Sequence, residues 1–460
     1  MKILERPRDQ CGVFAMHHHN GGPHTAAQAV YLGLLALQHR GQESAGLAFP
    51  GAAGIQCRKG MGLVSQVFPR EWLAEVTSAT ALGHVRYSTT GISNINNAQP
   101  LVARSTGGYG IALAHNGNLS NNDQLKQALL EEGHIFHATT DTETLLAYLF
   151  RFRKKGLAAA AAEIMQIVEG AYAAVAMDYE QMIAFRDPFG FRPLVMGRLG
   201  KAVVFASETC ALESVGAVFE RELLPGEIVS AARGEVISTA VYPAAREAFC
   251  IFEFIYFARP DSTFQGQNVH LVRKAVGARL ARRVVPGLEM VIPSPDSGVS
   301  AAMGMAEAAR LPLEWAIHRN PYRGRTFIEP SPEGREQAAR LKYNPIAALV
   351  KGKRVAVVDD SLVRGTTARK LTALLREAGA AAVHLFIAAP PYTHPCYYGV
   401  DIPVAAGLAA VEEDAEQRKL AASIGADSIT YATLDDLYSA VGHNQSGYCT
   451  ACFTGDYPTG

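Results

Sequence analysis

No apolar run in this 460-residue chain is long enough to cross a membrane; VAAGLAAV at 404–411 is less than half of the roughly 20 residues a spanning helix needs. Net charge is also missing. Lys plus Arg and Asp plus Glu both number 43, so no global field draws the chain to nucleic acid or an anionic membrane, and any phosphate site must be local. The first ten residues, MKILERPRDQ, lack the apolar core of a secretory signal, which points to a cytoplasmic protein. Cysteine is sparse and odd in number, seven in all, which reads better as thiol chemistry or metal ligation than as a disulfide frame. No internal repeat is present.

What remains is enough chain for two or three domains, each with its own core. The first half alternates short β-like runs (ESAGLAFP, ALGHVRYSTTG, YGIALAHNGNLSN, KAVVFASET) with two helical stretches, AAQAVYLGLLALQHR and DTETLLAYLFRFRKKG. GLAAAAAEIM reads as a further plain amphipathic helix. Many strands and few helices imply packed sheets with helices on their outer faces. The second half changes character: EMVIPSPDSG and KRVAVVDDSLVRG are apolar strands entering Gly- and Asp-bearing loops, each followed by a helix-like stretch. Such alternation predicts a parallel α/β sheet. The boundary is expected between Val241 and Phe252, giving units of 11–245 and 246–460.

Within RVAVVDDSLVRGTTARKLTALLREAG, a buried strand meets a helix carrying Leu371, Leu374 and Leu375 on one face. The junction offers hydroxyls and Gly365, and a loop feeding a helix N-terminus suits an anion because unpaired N–H groups and the dipole point at it. Asp359 and Asp360 cannot hold phosphate directly, but they can take ribose hydroxyls or Mg²⁺. The bland alternative is a strand–turn–helix with two solvated acids. The pattern is neither G-x-x-x-x-G-K-[ST] nor G-x-G-x-x-G, which disfavours ATPase and dinucleotide readings. These residues resemble the 5-phosphoribosyl 1-diphosphate (PRPP) signature of type I phosphoribosyltransferases. The resemblance implies that the acids contact ribose and metal and that Ser361, Arg364, Gly365, Thr366 and Thr367 bind substrate.

In the first half CGVFA, LQHRGQESAG, GHVRYSTTG, NAQP, LAHNGNLSN and TTDTE occur in that order. A thiol attacking a carboxamide needs a base, and no histidine is placed for this by sequence alone. If the mature chain begins at Cys11, its own α-amine, with an ordinary pKa near 8, supplies that base. Residues 1–10 are then a propeptide. Asn116 and Gly117 make an oxyanion pair, Arg86 can clamp a free carboxylate, and Asp141 can pair with an ammonium. Singly, each is an ordinary turn residue.

The ordered set resembles the N-terminal-nucleophile class II glutamine amidotransferase domain. Together with the second signature, the chain resembles the glutamine PRPP amidotransferase family from Cys11 to about Cys452, including RDPFGFRPL, YFARPDS, PDSG and RGRTFIEP. The resemblance implies a four-layer αββα glutaminase unit followed by a parallel-sheet phosphoribosyltransferase unit. It makes Cys11 the nucleophile, with glutamine or its oxyanion bound by Arg86, Asn116, Gly117 and Asp141. It also makes Ser297, Asp359 and Asp360 Mg²⁺ positions, and Arg325 and Lys342 part of a lid over PRPP. The product would be 5-phosphoribosylamine, in the first committed step of purine synthesis. Ammonia would pass through an internal channel, purine nucleotides would inhibit, and the chain would form a homotetramer. Where the family reads Asn-Arg-Tyr, this chain has Asn320-Pro321-Tyr322, so Arg319 and Arg323 are the remaining candidates for that phosphate contact. Other class II amidotransferases, such as glucosamine-phosphate or asparagine synthetases, lack the VVDDSLVRGTT junction. A non-catalytic PRPP- or nucleotide-sensing regulator would have no need of the complete glutamine set.

Cys449 and Cys452 form a CxxC, with Cys250 and Cys396 distant in sequence. Spacing alone admits Zn²⁺ or [4Fe–4S]. The resemblance implies [4Fe–4S], because one branch of the family carries a structural cluster at these four positions together with a cleaved propeptide. Cys57 and Cys210 are expected to serve packing. His17–His19 reads as a solvated loop, since adjacent side chains on extended backbone point to opposite faces.

Overall fold

The computed structural model describes residues 11–18, 25–87, 93–232, 235–240, 246–321, 343–363, 365–400, 402, 414–442 and 445–459. The first half builds two antiparallel sheets. One has seven strands in the order Val218–Glu222, Val195–Leu199, Ala202–Ala206, Gly12–His17, Thr80–Arg86, Ser44–Gly51 and Gly54–Met61. The other runs Glu235–Ala240, Glu227–Ala232, Gln181–Arg186, Gly170–Met177, Gly110–Leu119 and Leu101–Arg104.

Strand alternation produces the layers. Phe14 and Met16 point to one face and pack with Val30 and Leu34 of the helix Ala26–Ala36. Val13 and Ala15 point to the other and share a core with Ala112, Ala114, Ala173, Val175 and Ala184 of the second sheet. That sheet's remaining face, with Ile111, Leu113 and Phe185, is covered by the helices Asp141–Phe152 and Leu157–Ile167 through Leu145, Leu149 and Ile164. The result is the expected four-layer αββα arrangement, with all three expected helices present. Between the sheets many side chains are alanine, so the backbones can approach closely while apolar area is still removed from water.

The second half contains a four-stranded, wholly parallel sheet in the order Met290–Pro293, Arg354–Asp359, Ala382–Ile387 and Ser428–Tyr431. Its strands are near-continuous apolar runs because both faces are covered by helices. The helix Thr366–Glu377 follows the junction as expected, with Leu371 and Leu375 buried. Leu374 turns out only half-buried, and Ala368 and Thr372 complete the packed face instead. The second core starts at Phe249, and a small apolar cluster of Ala171, Phe191, Ala248, Tyr398 and Cys449 joins the halves. No helix among the described residues is long and apolar enough to cross a membrane.

Because the inter-sheet layer is filled by small side chains, enlarging one of them should open the sandwich. Ala184→Leu is expected to lower unfolding free energy by about 1–3 kcal/mol, read from the urea midpoint at constant slope.

Candidate active site

Cys11 stands at the head of Gly12–His17, the fourth of seven strands, and is buried. Its thiol donates to the Tyr87 carbonyl at 3.6 Å. Register pairs Gly12 with Val85, so Arg86, also buried, lies level with Cys11 on the neighbouring strand. Asn116 and Gly117 come from Gly110–Leu119 of the facing sheet. The Asn116 side-chain amide nitrogen is buried and has no hydrogen-bond partner among the described residues. Leaving such a donor unmade costs about 1–3 kcal/mol, which a ligand oxygen placed against it would recover. Gly117 has φ +150°, and a Cβ there would strike the Ala171 carbonyl, so no side chain can screen its N–H.

Asp141 opens its helix with a buried carboxylate that accepts from the Leu119 N–H at 3.0 Å and the Thr140 hydroxyl at 3.2 Å. These bonds tie the helix to the strand carrying Asn116 and Gly117. Ionised, the carboxylate still has lone pairs for an ammonium. His84, from the strand of Arg86, bonds the His115 carbonyl through Nε2 at 3.1 Å and so spans the two sheets beside Asn116. Burial drives its pKa down to about 3 from 6.5, against the pull of that carbonyl bond, and the neighbouring Arg86 and His115 lower it further. Sequence reasoning missed His84, together with a cluster of buried charge in which Arg40 meets Glu208 and Glu253. The signal was a lone arginine inside the LQHRGQ motif, next to an apolar helix.

At the other end, Asp359 and Asp360 lie buried at the carboxyl end of a parallel strand, where ligands of open α/β sheets gather. The Ser297 hydroxyl donates to Asp359 at 3.4 Å, and the Ser361 hydroxyl to Asp360 at 2.6 Å. Gly365 takes φ +68° as the cap of Thr366–Glu377 and supplies no side-chain bond, so the helix start is not capped by its own side chain. Thr366 and Thr367 begin that helix. Arg319 pairs with Asp296 in the PDSG loop, both side chains exposed. Arg364, Arg323, Arg325 and Lys342 lie outside the described residues, as do residues 1–10 and His19. His17 bonds the Thr80 hydroxyl at 2.8 Å.

Cys250 and Cys449 are register partners on the parallel pair Phe249–Cys250 and Tyr448–Cys449. The Thr393 and His394 N–H groups donate to the Cys452 carbonyl, which draws the Cys396 loop alongside. Burial pushes the Cys250 thiol up to about 12 and Cys449 and Cys452 well above the thiol range, and the nearby Cys396 raises all three further. No disulfide joins any of the seven cysteines. Three chain segments thus bring thiols, the donors a soft metal takes, near one another. Among the described residues no three His, Cys, Asp or Glu stand in ligating geometry. Cys57 and Cys210 donate instead to the Pro100 carbonyl and to Glu208, and burial raises both.

Comparison with known proteins places the chain in a family. Residues 84–214 match a glutamine amidotransferase domain model. An amidophosphoribosyltransferase of Bacillus subtilis is 42% identical, over 98% of this chain and 94% of its own length. The chain belongs to the amidophosphoribosyltransferase family. Enzymes of this family carry out the first committed step of purine biosynthesis. A family member from Methanothermobacter thermautotrophicus is 41% identical over 98% of this chain and 95% of its own. The solved B. subtilis glutamine PRPP amidotransferase, complexed with ADP and GMP, superposes with a TM-score of 0.89 at 42% identity, covering 97% of each chain.

His84 has a consequence for acid stability. Its folded pKa lies below the ordinary 6.5, so its contribution is complete above pH 6.5 and is lost as pH falls toward about 3. The urea midpoint is expected to drop between about pH 7 and about pH 5, and to drop less in His84→Gln, which keeps a donor without titrating.

Proposed function

We propose that this amidophosphoribosyltransferase takes ammonia from glutamine at Cys11 and delivers it to C1 of PRPP, giving 5-phosphoribosylamine, pyrophosphate and glutamate. The observation that carries the glutaminase half is the buried, unpartnered Asn116 amide beside the Gly117 N–H, on the sheet facing Cys11.

Removal of residues 1–10 frees the Cys11 α-amine, which takes the thiol proton as sulfur attacks the carboxamide. Asn116 and Gly117 stabilise the oxyanion, and collapse of the tetrahedral adduct leaves a thioester and releases ammonia. Arg86 holds the substrate carboxylate and Asp141 its ammonium. Water hydrolyses the thioester to glutamate. In the second unit, residues 361–367 with the start of the helix Thr366–Glu377 hold the 5-phosphate, and Asp359 and Asp360 take the ribose hydroxyls. Arg325 and Lys342 neutralise the departing pyrophosphate.

Ser297, Asp359 and Asp360 would hold Mg²⁺, which supplies positive charge to the diphosphate. Cys250, Cys396, Cys449 and Cys452 would hold a [4Fe–4S] cluster that pins the tail to the joint between the halves. A closed passage keeps ammonia from becoming ammonium in water. Purine nucleotides act as inhibitors, in line with the ADP and GMP bound to the B. subtilis relative, and the working assembly is a homo-oligomer.

Purified protein given glutamine, PRPP and Mg²⁺ is expected to release pyrophosphate. Cys11→Ala should abolish glutamine-dependent turnover and keep ammonia-dependent turnover; equal loss of both would refute the division of labour. Asn116→Ala is expected to lower the glutaminase rate by about 10²–10³-fold with no comparable loss of ammonia-dependent turnover. Intact mass of native protein should show a chain beginning at Cys11.

A further inference from the structure

We propose that Glu253, a carboxylate of the second unit, is a positioning residue for the nucleophile of the first, acting through Arg40. This rests on the reading of Cys11 as the glutaminase nucleophile. Arg40 donates from Nε to the Cys11 carbonyl at 3.1 Å. Its other two nitrogens fork onto Glu253, from Nη1 to Oε2 at 3.1 Å and from Nη2 to Oε1 at 3.0 Å. All three groups are buried, so water cannot take the place of any of them.

Each end of this link is anchored. Glu208 of the first unit accepts from Arg40 at 2.5 Å, and also from the Arg259 N–H at 2.9 Å and the Ser262 hydroxyl at 2.7 Å, both in the second unit. Burial works against the charges, but the carboxylates outweigh it and hold the Arg40 pKa above its ordinary value. For Glu208 too, burial is outweighed by His39 and Arg40, and its carboxyl stays below the usual range. Glu253 opens a short π-helical turn, Glu253–Phe257, held by Arg273, which donates from Nε to the Phe254 carbonyl at 2.7 Å and from Nη2 to that of the capping Ala258 at 2.8 Å. Arg192 places a second guanidinium 3.8 Å from Glu253, so two cations face two carboxylates. The guanidinium is planar, so the fork on Glu253 sets the plane of Arg40 and hence the direction of the Nε–H that holds the Cys11 backbone.

An uncharged amide at 253 turns one tooth of the fork from acceptor to donor and frees Arg40 to rotate about Glu208. The thiol is then displaced while the PRPP end keeps its own residues. In the processed holoenzyme, Glu253→Gln is expected to lower glutamine-dependent kcat by about 10²-fold, the scale of a 1 Å misplacement. KM for glutamine and ammonia-dependent kcat should stay within about twofold. Arg40→Lys, which keeps a cation between the carboxylates and deletes the Nε donor, should give the same split. It decides the matter if Glu253→Gln does not fold. Alkylation of Cys11 by iodoacetamide, followed by intact mass, should slow in the same variants. A glutamine-dependent kcat within twofold of wild type, or parallel loss of both activities, overturns the role of Glu253. If Cys11→Ala retains glutamine-dependent turnover, the nucleophile assignment fails first and the proposal with it.

Discussion

One guanidinium and two carboxylates, sealed from water where the halves of the chain meet, impose the strictest demand in this molecule. Stripping such ions of solvent costs several kcal/mol each, and the cost is recovered only when every donor finds its acceptor. Arg40 meets that condition with bonds to Glu208, Glu253 and the Cys11 carbonyl. Arg40 and Glu253 are more than two hundred residues apart in sequence, so the cluster forms only when both cores are complete. A packed apolar joint would hold the halves as firmly but would accept small slips. A fork of charged bonds tolerates few.

The rest of the glutaminase unit is arranged around that fixed point. Strand alternation sends Phe14 and Met16 to the helix layer and Val13 and Ala15 to the opposing sheet. Alanine between the sheets lets the strand of Asn116 face the strand of Cys11. His84, neutral and buried, bonds across the same gap, so the strand of Asn116 and Gly117 is tied to the strand of Arg86, which itself pairs with that of Cys11. The Asn116 amide nitrogen is left buried and without a partner among the described residues. In the second unit the economy is different: the acids and the helix start lie at one end of a parallel sheet, within a few residues of one another in sequence.

That difference explains what could be read in advance. The phosphate end is local. Strand, acids, glycine and helix follow in one segment, so periodicity and turn chemistry were enough to place Asp359, Asp360 and Gly365. The amphipathic helices and the two-sheet sandwich were equally legible because their periods, 3.6 and 2, are written in consecutive residues. The half-burial of Leu374 was not legible, since an apolar side chain at the edge of a stripe is buried only if a neighbour reaches it.

The sequence by itself determined the classes of element, the two kinds of core, and the residue types available for thiol, oxyanion and phosphate chemistry. Only the tertiary structure decided that Cys250 pairs in register with Cys449, that Arg319 is engaged by Asp296, and that Arg40 carries a carboxylate from the other half to the backbone of Cys11. These are contacts between remote segments. Their partners are selected by burial and by the requirement that buried charges and donors be matched, and no local pattern of residues encodes that selection.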